Sequence, residues 1–516
     1  MKKQSLIKGT LILGVAGILA KFLGLFFRWP LIMLIGDEGV GYYQMSYPLY
    51  MFFVAIASGV PVAISKLVSE KNAMGDREGI FKVLKEALLL MGFMGIGTTA
   101  ILYALSKPII SFLKWDPKAY YSLLGIAIAP MIISLMSAFR GFFQGLQNMS
   151  PTAISQVLEQ FGRVIFGVGL AYILLPRGIE FSAGGAALGA AAGGILAGIY
   201  LFIKYLKLKS DFNVFKVKSD EKILWKLMYI AIPISLGATV GTIMNLIDSI
   251  LVPQKLLEAG FTYKDSTILY GQLTGKASVL VNLPLTLSMA LCASLVPIIA
   301  EAYILSRKYE VVNRVDVAIK LSNTIAFPAL AGLFFLSYPI MNLIFPGHSE
   351  GHNILRYLSL SIPFIIMAQT TTAILQGTGH YIRPVLNLTI GCIIKILLTM
   401  FLVPIKEINI YGAVIASVVA YVIASLLNLG SLKRKLKVDI RYYDSIIKPA
   451  YCSIIMILVV LVIYKFVYGN TYSNGISCLI SISSGIIIYI LLIVITGIFK
   501  YSYIKKKLFK SSSKNN

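Results

Sequence analysis

Carboxylates are scarce in this chain: its 516 residues hold 22 Asp and Glu against 47 Lys and Arg, with only three His and four Cys. A membrane glycosyltransferase or polymerase needs a pocket of acidic catalytic residues and often a substantial outer loop. The longest outer loops here are short and carry few carboxylates, which argues against that class and against an enzyme in general. Cys292, Cys392, Cys452 and Cys478 stand singly inside apolar segments, without the paired spacing of a disulfide framework or a metal site. Apolar packing is their expected role. The glycines at 184, 185, 189, 193, 194 and 198 are followed by no Lys-Ser or Lys-Thr, so they do not make a nucleotide loop. Their small-xxx-small spacing predicts close helix packing instead. His348 and His352 are four residues apart, a metal spacing if helical, but the neighbouring glycines disfavour a helix there. No metal and no cofactor is expected.

What the chain has in excess is apolar sequence. Hydrophobic residues make up 57% and charged residues 13%, with a mean hydropathy of +0.81, which excludes a soluble globular class. Runs of about 20 residues, the length that crosses a bilayer, fall at 6–35, 42–68, 84–105, 120–146, 152–175 and 183–203. Six more follow a polar connector, at 224–252, 268–300, 317–344, 354–375, 385–403 and 411–432, and two further runs lie at 446–467 and 476–499. The expected fold is an all-α integral membrane protein of about fourteen transmembrane helices.

Short signatures repeat in register. Tyr47-Pro48-Leu49 leads to Gly59-Val60-Pro61, and Leu283-Pro284-Leu285 leads to Leu295-Val296-Pro297 with the same internal spacing. Gln144-Gly145 before Pro151 is echoed by Gln376-Gly377 before Pro384, with one residue inserted. Two homologous lobes follow, and repeated lobes in a bilayer point to a transporter with its substrate between them. The expected organisation is a six-helix lobe at 1–205, a cytoplasmic linker at 206–222, a second six-helix lobe at 223–440, two additional helices at 441–500 and a cytoplasmic tail at 501–516. Prolines inside the runs, among them Pro48, Pro233, Pro284 and Pro328, break helical hydrogen bonds where such a protein bends.

The net charge of +25 raises nucleic acid as a partner, but the positions of the charges reject it. With the amino terminus inside, about thirty cations fall in inner loops and about seven in outer ones, the positive-inside bias. Both termini are therefore expected on the cytoplasmic side of the cell membrane, with membrane lipids as partners of the inner cations. The basic start precedes an apolar run that is too long for a signal peptide and lacks a small-residue cleavage site, so it reads as the first helix.

Ionisable side chains inside the apolar runs carry most of the functional weight, because each costs about 2.5 to 3.5 kcal/mol near the bilayer centre on insertion scales. Lys21 and Arg28 are about two turns apart on the first helix and share a face. Asp248 on the seventh helix and Lys276 on the eighth are placed to pair. Glu159 and Arg163 have the spacing of an intrahelical pair, and Lys395 lies in the repeat partner of their helix. The sum of these charges is positive, so a cavity that they line would attract an anion, most simply a phosphate or pyrophosphate. Substrate-binding candidates are Lys21, Arg28, Lys276, Asp248, Arg163 and Lys395. Asp248 and Glu159 are the candidates for a coupling ion.

The segments Lys8-Gly9-Thr10, Ala20-Lys21-Phe22-Leu23-Gly24, Arg28, Gly36-Asp37-Glu38-Gly39-Val40-Gly41-Tyr42-Tyr43 and Gly59-Val60-Pro61-Val62-Ala63-Ile64-Ser65-Lys66 together resemble the polysaccharide-export branch of the multidrug, oligosaccharidyl-lipid and polysaccharide exporter (MOP) superfamily. The resemblance runs through about twelve helices; the last two match mainly in count. It implies two six-helix bundles around a V-shaped cavity, a groove at the last two helices for a lipid tail, and a flippase for polyprenyl-pyrophosphate-linked sugars such as lipid II. Peptidoglycan precursor for spore cortex is the cargo that the sporulation-type subgroup implies, with cell-wall synthesis enzymes as partners. Lys21 and Arg28 match the first-helix cations of the lipid II flippases approximately, and Lys276 lies about a turn from the eighth-helix one. The basic residue expected just before the second-helix proline is replaced by Ser46. The rival within the superfamily is a cation-coupled multidrug antiporter, which should carry carboxylates rather than Lys21 and Arg28 on its first helix.

Overall fold

The structure, a computed structural model, describes residues 6–211, 220–437 and 441–498, apart from the side chains of 6–11, 25, 211, 237, 240 and 290–297. All regular elements among them are helical. That is what a spanning chain requires, since bilayer hydrocarbon offers backbone N–H and C=O groups no partner outside their own segment.

The chain opens with α1 (Leu6–Ala57), two helical arms joined at Gly36, whose φ of 61° and ψ of −168° interrupt the element. Only glycine enters that backbone region without steric cost. There follow α2 (Gly59–Ala73), α3 (Arg77–Ala104), α4 (Ser106–Phe112), α5 (Tyr120–Ala127), α6 (Ala129–Gly145), α7 (Ser150–Leu174), α8 (Ile179–Asp211) and α9 (Glu221–Glu258). α9 bends by 60° between Glu221–Leu236 and Gly241–Glu258. Pro233 sits just before the bend and removes a helical hydrogen bond there. Next come α10 (Tyr263–Gly271), a π-helical turn at Gln272–Ala277, and α11 (Ser278–Ile304). The remainder is α12 (Lys308–Phe335), α13 (Ser337–Ile344), α14 (His352–Leu358), α15 (Ile362–Gly377), α16 (Ile382–Leu402), α17 (Ile410–Leu436), α18 (Lys448–Thr471) and α19 (Asn474–Ile495).

The internal repeat recurs in the lengths and ends of these elements. α3 and α12 each have 28 residues, each stops at a leucine (Leu105, Leu336), and each is followed by a short helix that starts with serine. α6 and α15 both carry proline in the first turn and both end on glycine, Gly145 and Gly377. The Gln-Gly echo in the sequence thus marks two equivalent helix ends.

Eleven helices among the described residues are long and apolar enough to span a membrane, or twelve if the bent α9 counts as one span. The expectation of about fourteen differs at two places. The runs at 6–35 and 42–68 merge into one continuous element, Ile12–Ala73. The run at 268–300 includes side chains outside the described set. The molecule is a multi-pass, all-helical membrane protein.

By packing, the chain divides into two compact units: Met1–Gly275 with Thr399–Ile410, and Lys276–Leu398 with Tyr411–Asn516. In the first unit the glycines of α8 form a seam with α7. A Cβ on Gly189 would lie 2.5 Å from the Cα of Gly167, and one on Gly193 would lie 2.9 Å from the Arg163 nitrogen. No larger residue fits at that separation, so the seam fixes the depth and rotation of α7 where Glu159 and Arg163 stand. In the second unit α11, α12, α15 and α17 enclose an apolar core that includes Ile299, Val315, Ile319, Leu375 and Leu432. Polar bonds join it to the end of the chain: Asn323 donates to the Ser445 carbonyl at 2.9 Å, and Ser445 Oγ donates to Asp316 at 2.9 Å.

Candidate functional site

The segment 36–66, the most specific part of the sequence pattern, is largely a packing device within the first unit. Gly41 lets α10 approach until its Cα is 3.1 Å from the Cβ position of Gly271. Polar bonds then lock the register: Gln272 Nε2 donates to Asp37 Oδ2 at 2.9 Å, and Gln44 Nε2 donates to the Thr274 carbonyl at 2.9 Å. Gly59 plays the same part against α9, where its N–H donates to Ser235 Oγ at 3.1 Å. Gly141 opens room for Pro61, whose Cα is 2.9 Å from the Cβ position.

With its two faces pinned in this way, the second arm of α1 presents a tyrosine ladder. Tyr43 and Tyr47 stack with centroids 5.5 Å apart, Tyr47 and Tyr50 lie 5.7 Å apart, and Phe27 packs on Tyr43 at 5.7 Å. Two guanidinium groups flank this ladder. Arg28 lies 5.3 Å from the Tyr43 centroid and 6.0 Å from that of Tyr47, and Arg163 lies 5.9 Å from Tyr47. A guanidinium is weakly hydrated and planar, so stacking on an electron-rich ring holds it in place while leaving its in-plane N–H groups available. Nη1 of Arg28 and Nε of Arg163 are buried and have no hydrogen-bond partner. Buried donors left open are costly, and an anion is the kind of group that would satisfy them.

Glu159 and Arg163 do form the expected pair, at 3.7 Å. Sequence reasoning missed its third member. Arg140 on α6 holds the other Glu159 oxygen at 3.0 Å and bonds Ser155 Oγ through Nε at 2.8 Å. Its signal was available, since Arg140 stands alone among Phe139, Gly141, Phe142 and Phe143 in an apolar run. The tyrosine ladder also had a signal: positions 43, 47 and 50 share a helical face.

The other candidates are placed as follows. Lys21 is exposed on the first arm of α1. Asp248 is buried on α9 and Lys395 is buried on α16. Lys276, on the π-helical turn, is 0% exposed; its Nζ donates to the His348 carbonyl at 2.7 Å and the Glu350 carbonyl at 3.4 Å, and lies 3.8 Å from the Glu350 carboxylate. Ser46 is buried and its hydroxyl turns back onto the Tyr43 carbonyl at 3.1 Å, so position 46, two residues before Pro48, offers no outward donor. His348 lies in a turn and His352 opens α14, with Gly351 between them at a φ of 83°. The two rings are thus not on one helix. Cys392, Cys452 and Cys478 are buried free thiols, and Cys292 lies outside the described side chains.

Comparisons with known proteins agree with this architecture. The family model described as polysaccharide biosynthesis protein matches residues 6–303, and the MatE model matches residues 275–401. The chain is 31% identical over 450 residues to stage V sporulation protein B of Bacillus subtilis (strain 168), covering 86% of each. It is 28% identical over 456 residues to the lipid II flippase MurJ of the same organism, covering 84% of this chain and 83% of that one. Among solved structures, lipid II flippase MurJ in an inward closed conformation superposes with a TM-score of 0.72 at 17% identity, over 97% of this chain and 100% of the other.

Proposed function

Because the chain belongs to the polysaccharide biosynthesis protein family of the MOP superfamily, we propose that it is a flippase for an anionic, polyprenyl-pyrophosphate-linked saccharide in the cell membrane. The cargo is a peptidoglycan precursor of the lipid II kind, used in spore cortex synthesis and passed on to cell-wall synthesis enzymes; both termini are cytoplasmic. Transport, not catalysis, is the activity, and it calls for no cofactor.

The observation that carries this reading is the pair of stacked arginines with open N–H donors beside the tyrosine ladder. Pyrophosphate is a ligand that such donors suit, since each open guanidinium N–H can make a charge-assisted hydrogen bond to a phosphate oxygen. In this mechanism Arg28 and Arg163 take the headgroup, and Lys21, about two turns before Arg28 on α1, receives it first. Lys276 and Lys395 add positive field, because the Lys276 donors are already directed at carbonyls. Glu159, held between Arg140 and Arg163, positions Arg163. Asp248 is the carboxylate for any coupling ion. The two repeated lobes alternate access while the polyprenyl tail stays in lipid. An inside-negative potential favours outward movement of negative charge by about 2.3 kcal/mol per charge per 100 mV, so voltage can drive export.

The test is reconstitution into vesicles with polyprenyl-pyrophosphate lipids, reading leaflet accessibility with and without an imposed potential. Translocation that rises with inside-negative voltage is expected. Absence of translocation, together with saturable efflux of cationic drugs, would replace this reading with the multidrug antiporter.

A further inference from the structure

At the end of the first unit that carries the Lys204–Lys209 cluster, the structure contains a cavity of about 300 Å³, at the small end of the ligand-pocket range. Its floor is Phe143 and Leu208, both buried, and its wall is Asn148, Ser150, Lys204 and Lys207. Lys204 leans over the Tyr200 ring at 5.8 Å. No acidic residue lines it. Next to it, between the first arm of α1 and the start of α7, a second hollow of about 510 Å³ is lined by apolar residues alone, among them Val15, Leu19, Val157 and Leu158. Ile154 borders both and is 45% exposed. A cationic, hydrogen-bonding chamber and a hydrocarbon-lined groove thus share Ile154 as a common border.

We infer that this composite site holds one anionic diacyl phospholipid, its phosphate between Lys204 and Lys207 and one acyl chain along the groove between α1 and α7. The pairing of charge with groove is what singles out a lipid. A soluble phosphate would leave the groove unused, and a zwitterionic lipid would set its own cation against two lysines. Inside a bilayer the groove supplies little net attraction, since acyl chains are equally at home among other lipids. Selectivity therefore rests on the lysines, and the groove sets orientation. The site is separate from Arg28 and Arg163 and does not depend on the nature of the cargo.

Native mass spectrometry of the purified, delipidated full chain titrated with phosphatidylglycerol or phosphatidylcholine tests it. Retention of one phosphatidylglycerol in preference to phosphatidylcholine is expected, weakened about fivefold by Lys204→Gln and by Lys207→Gln. Lys107→Gln, which removes an exposed charge elsewhere in the same unit, should change nothing. Ile154→Trp should reduce retention by blocking the junction; if that variant folds poorly, Leu19→Trp probes the groove from its exposed side. Equal retention of the two lipids, or lysine variants that match Lys107→Gln, would show ordinary annular lipid and overturn the assignment. Displacement of phosphatidylglycerol by lower concentrations of undecaprenyl pyrophosphate would overturn it too, in favour of a cargo-loading site.

Discussion

Arg28 in the first unit and Lys276 in the second are both basic side chains in apolar helical surroundings, and they are held in different ways. Arg28 rests on the faces of Tyr43 and Tyr47 and keeps Nη1 without a partner. Lys276 is fully buried and directs its ammonium at two backbone carbonyls of the 348–350 turn. The contrast follows from the chemistry of the two groups. A delocalised plane can be fixed through its face while its edge stays open, whereas a compact ammonium must spend its donors to be buried at all. Positive charge in an apolar helix is therefore not by itself a binding site. What decides is whether donors remain after the protein has anchored the group.

The largest test of this contrast is Arg163→Ala. It leaves Glu159 with only Arg140, and breaking a buried pair costs about 3–5 kcal/mol; the partial compensation by Arg140 should place the loss of thermal stability near the lower end. Arg163→Ala that unfolds no earlier than the parent would show that the triad is loosely solvated. Arg28→Ala comes next. Removal of a charge-assisted donor should lower headgroup transport in vesicles about 10- to 100-fold, with protein level preserved, and Arg28→Lys should restore little because it loses the planar stack. Full rescue by lysine would erase the distinction between the two units. Lys276→Met should act in the opposite sense: it should lower stability by about 1–3 kcal/mol, because the carbonyls of His348 and Glu350 lose their buried donor, and reduce transport per folded molecule only a few-fold. A larger transport defect than that of Arg28→Ala would move the headgroup site to the second unit.

The smallest effect is expected at Asp76, outside the spans, where the carboxylate caps α3 by accepting from the Gly79 N–H at 2.7 Å and pairs with Lys71 at 2.8 Å. The hydrogen bond from Lys71, then that from Gly79, holds its carboxyl below the ordinary 3.8. A depressed acid stabilises the fold above its ordinary value, and the contribution fades as pH falls through the lower folded one. Asp76→Ala should cost about 1 kcal/mol at neutral pH, and the gap to the parent should close in strong acid, as thermal melts across pH will report.

Much of the architecture was legible because it depends on composition and period. Apolar runs of spanning length, prolines and the Gln-Gly echo all mark local events, and they reappear as the ends of α6 and α15. The small-residue run of α8 was readable for the same reason, since close approach demands the absence of a side chain. The site was less legible. The Glu159–Arg163 pair follows from spacing, but Arg140 comes to it from another helix, and the tyrosine ladder acquires its meaning only when Arg163, far along the chain, is brought over Tyr47. The merging of the first two apolar runs turned on a single glycine, Gly36, whose unusual backbone interrupts the element without ending it.

By itself the amino-acid order determined that this protein lives in a bilayer, that short proline and Gln-Gly signatures recur along it and that the charge within its apolar runs is positive, because hydropathy, repetition and net sign need no knowledge of distant neighbours. Only the tertiary structure decided which cations keep open donors and which are tied down. That depends on partners from other helices, and on whether a close-packed seam turns an arginine toward an aromatic ring or a loop closes over a lysine.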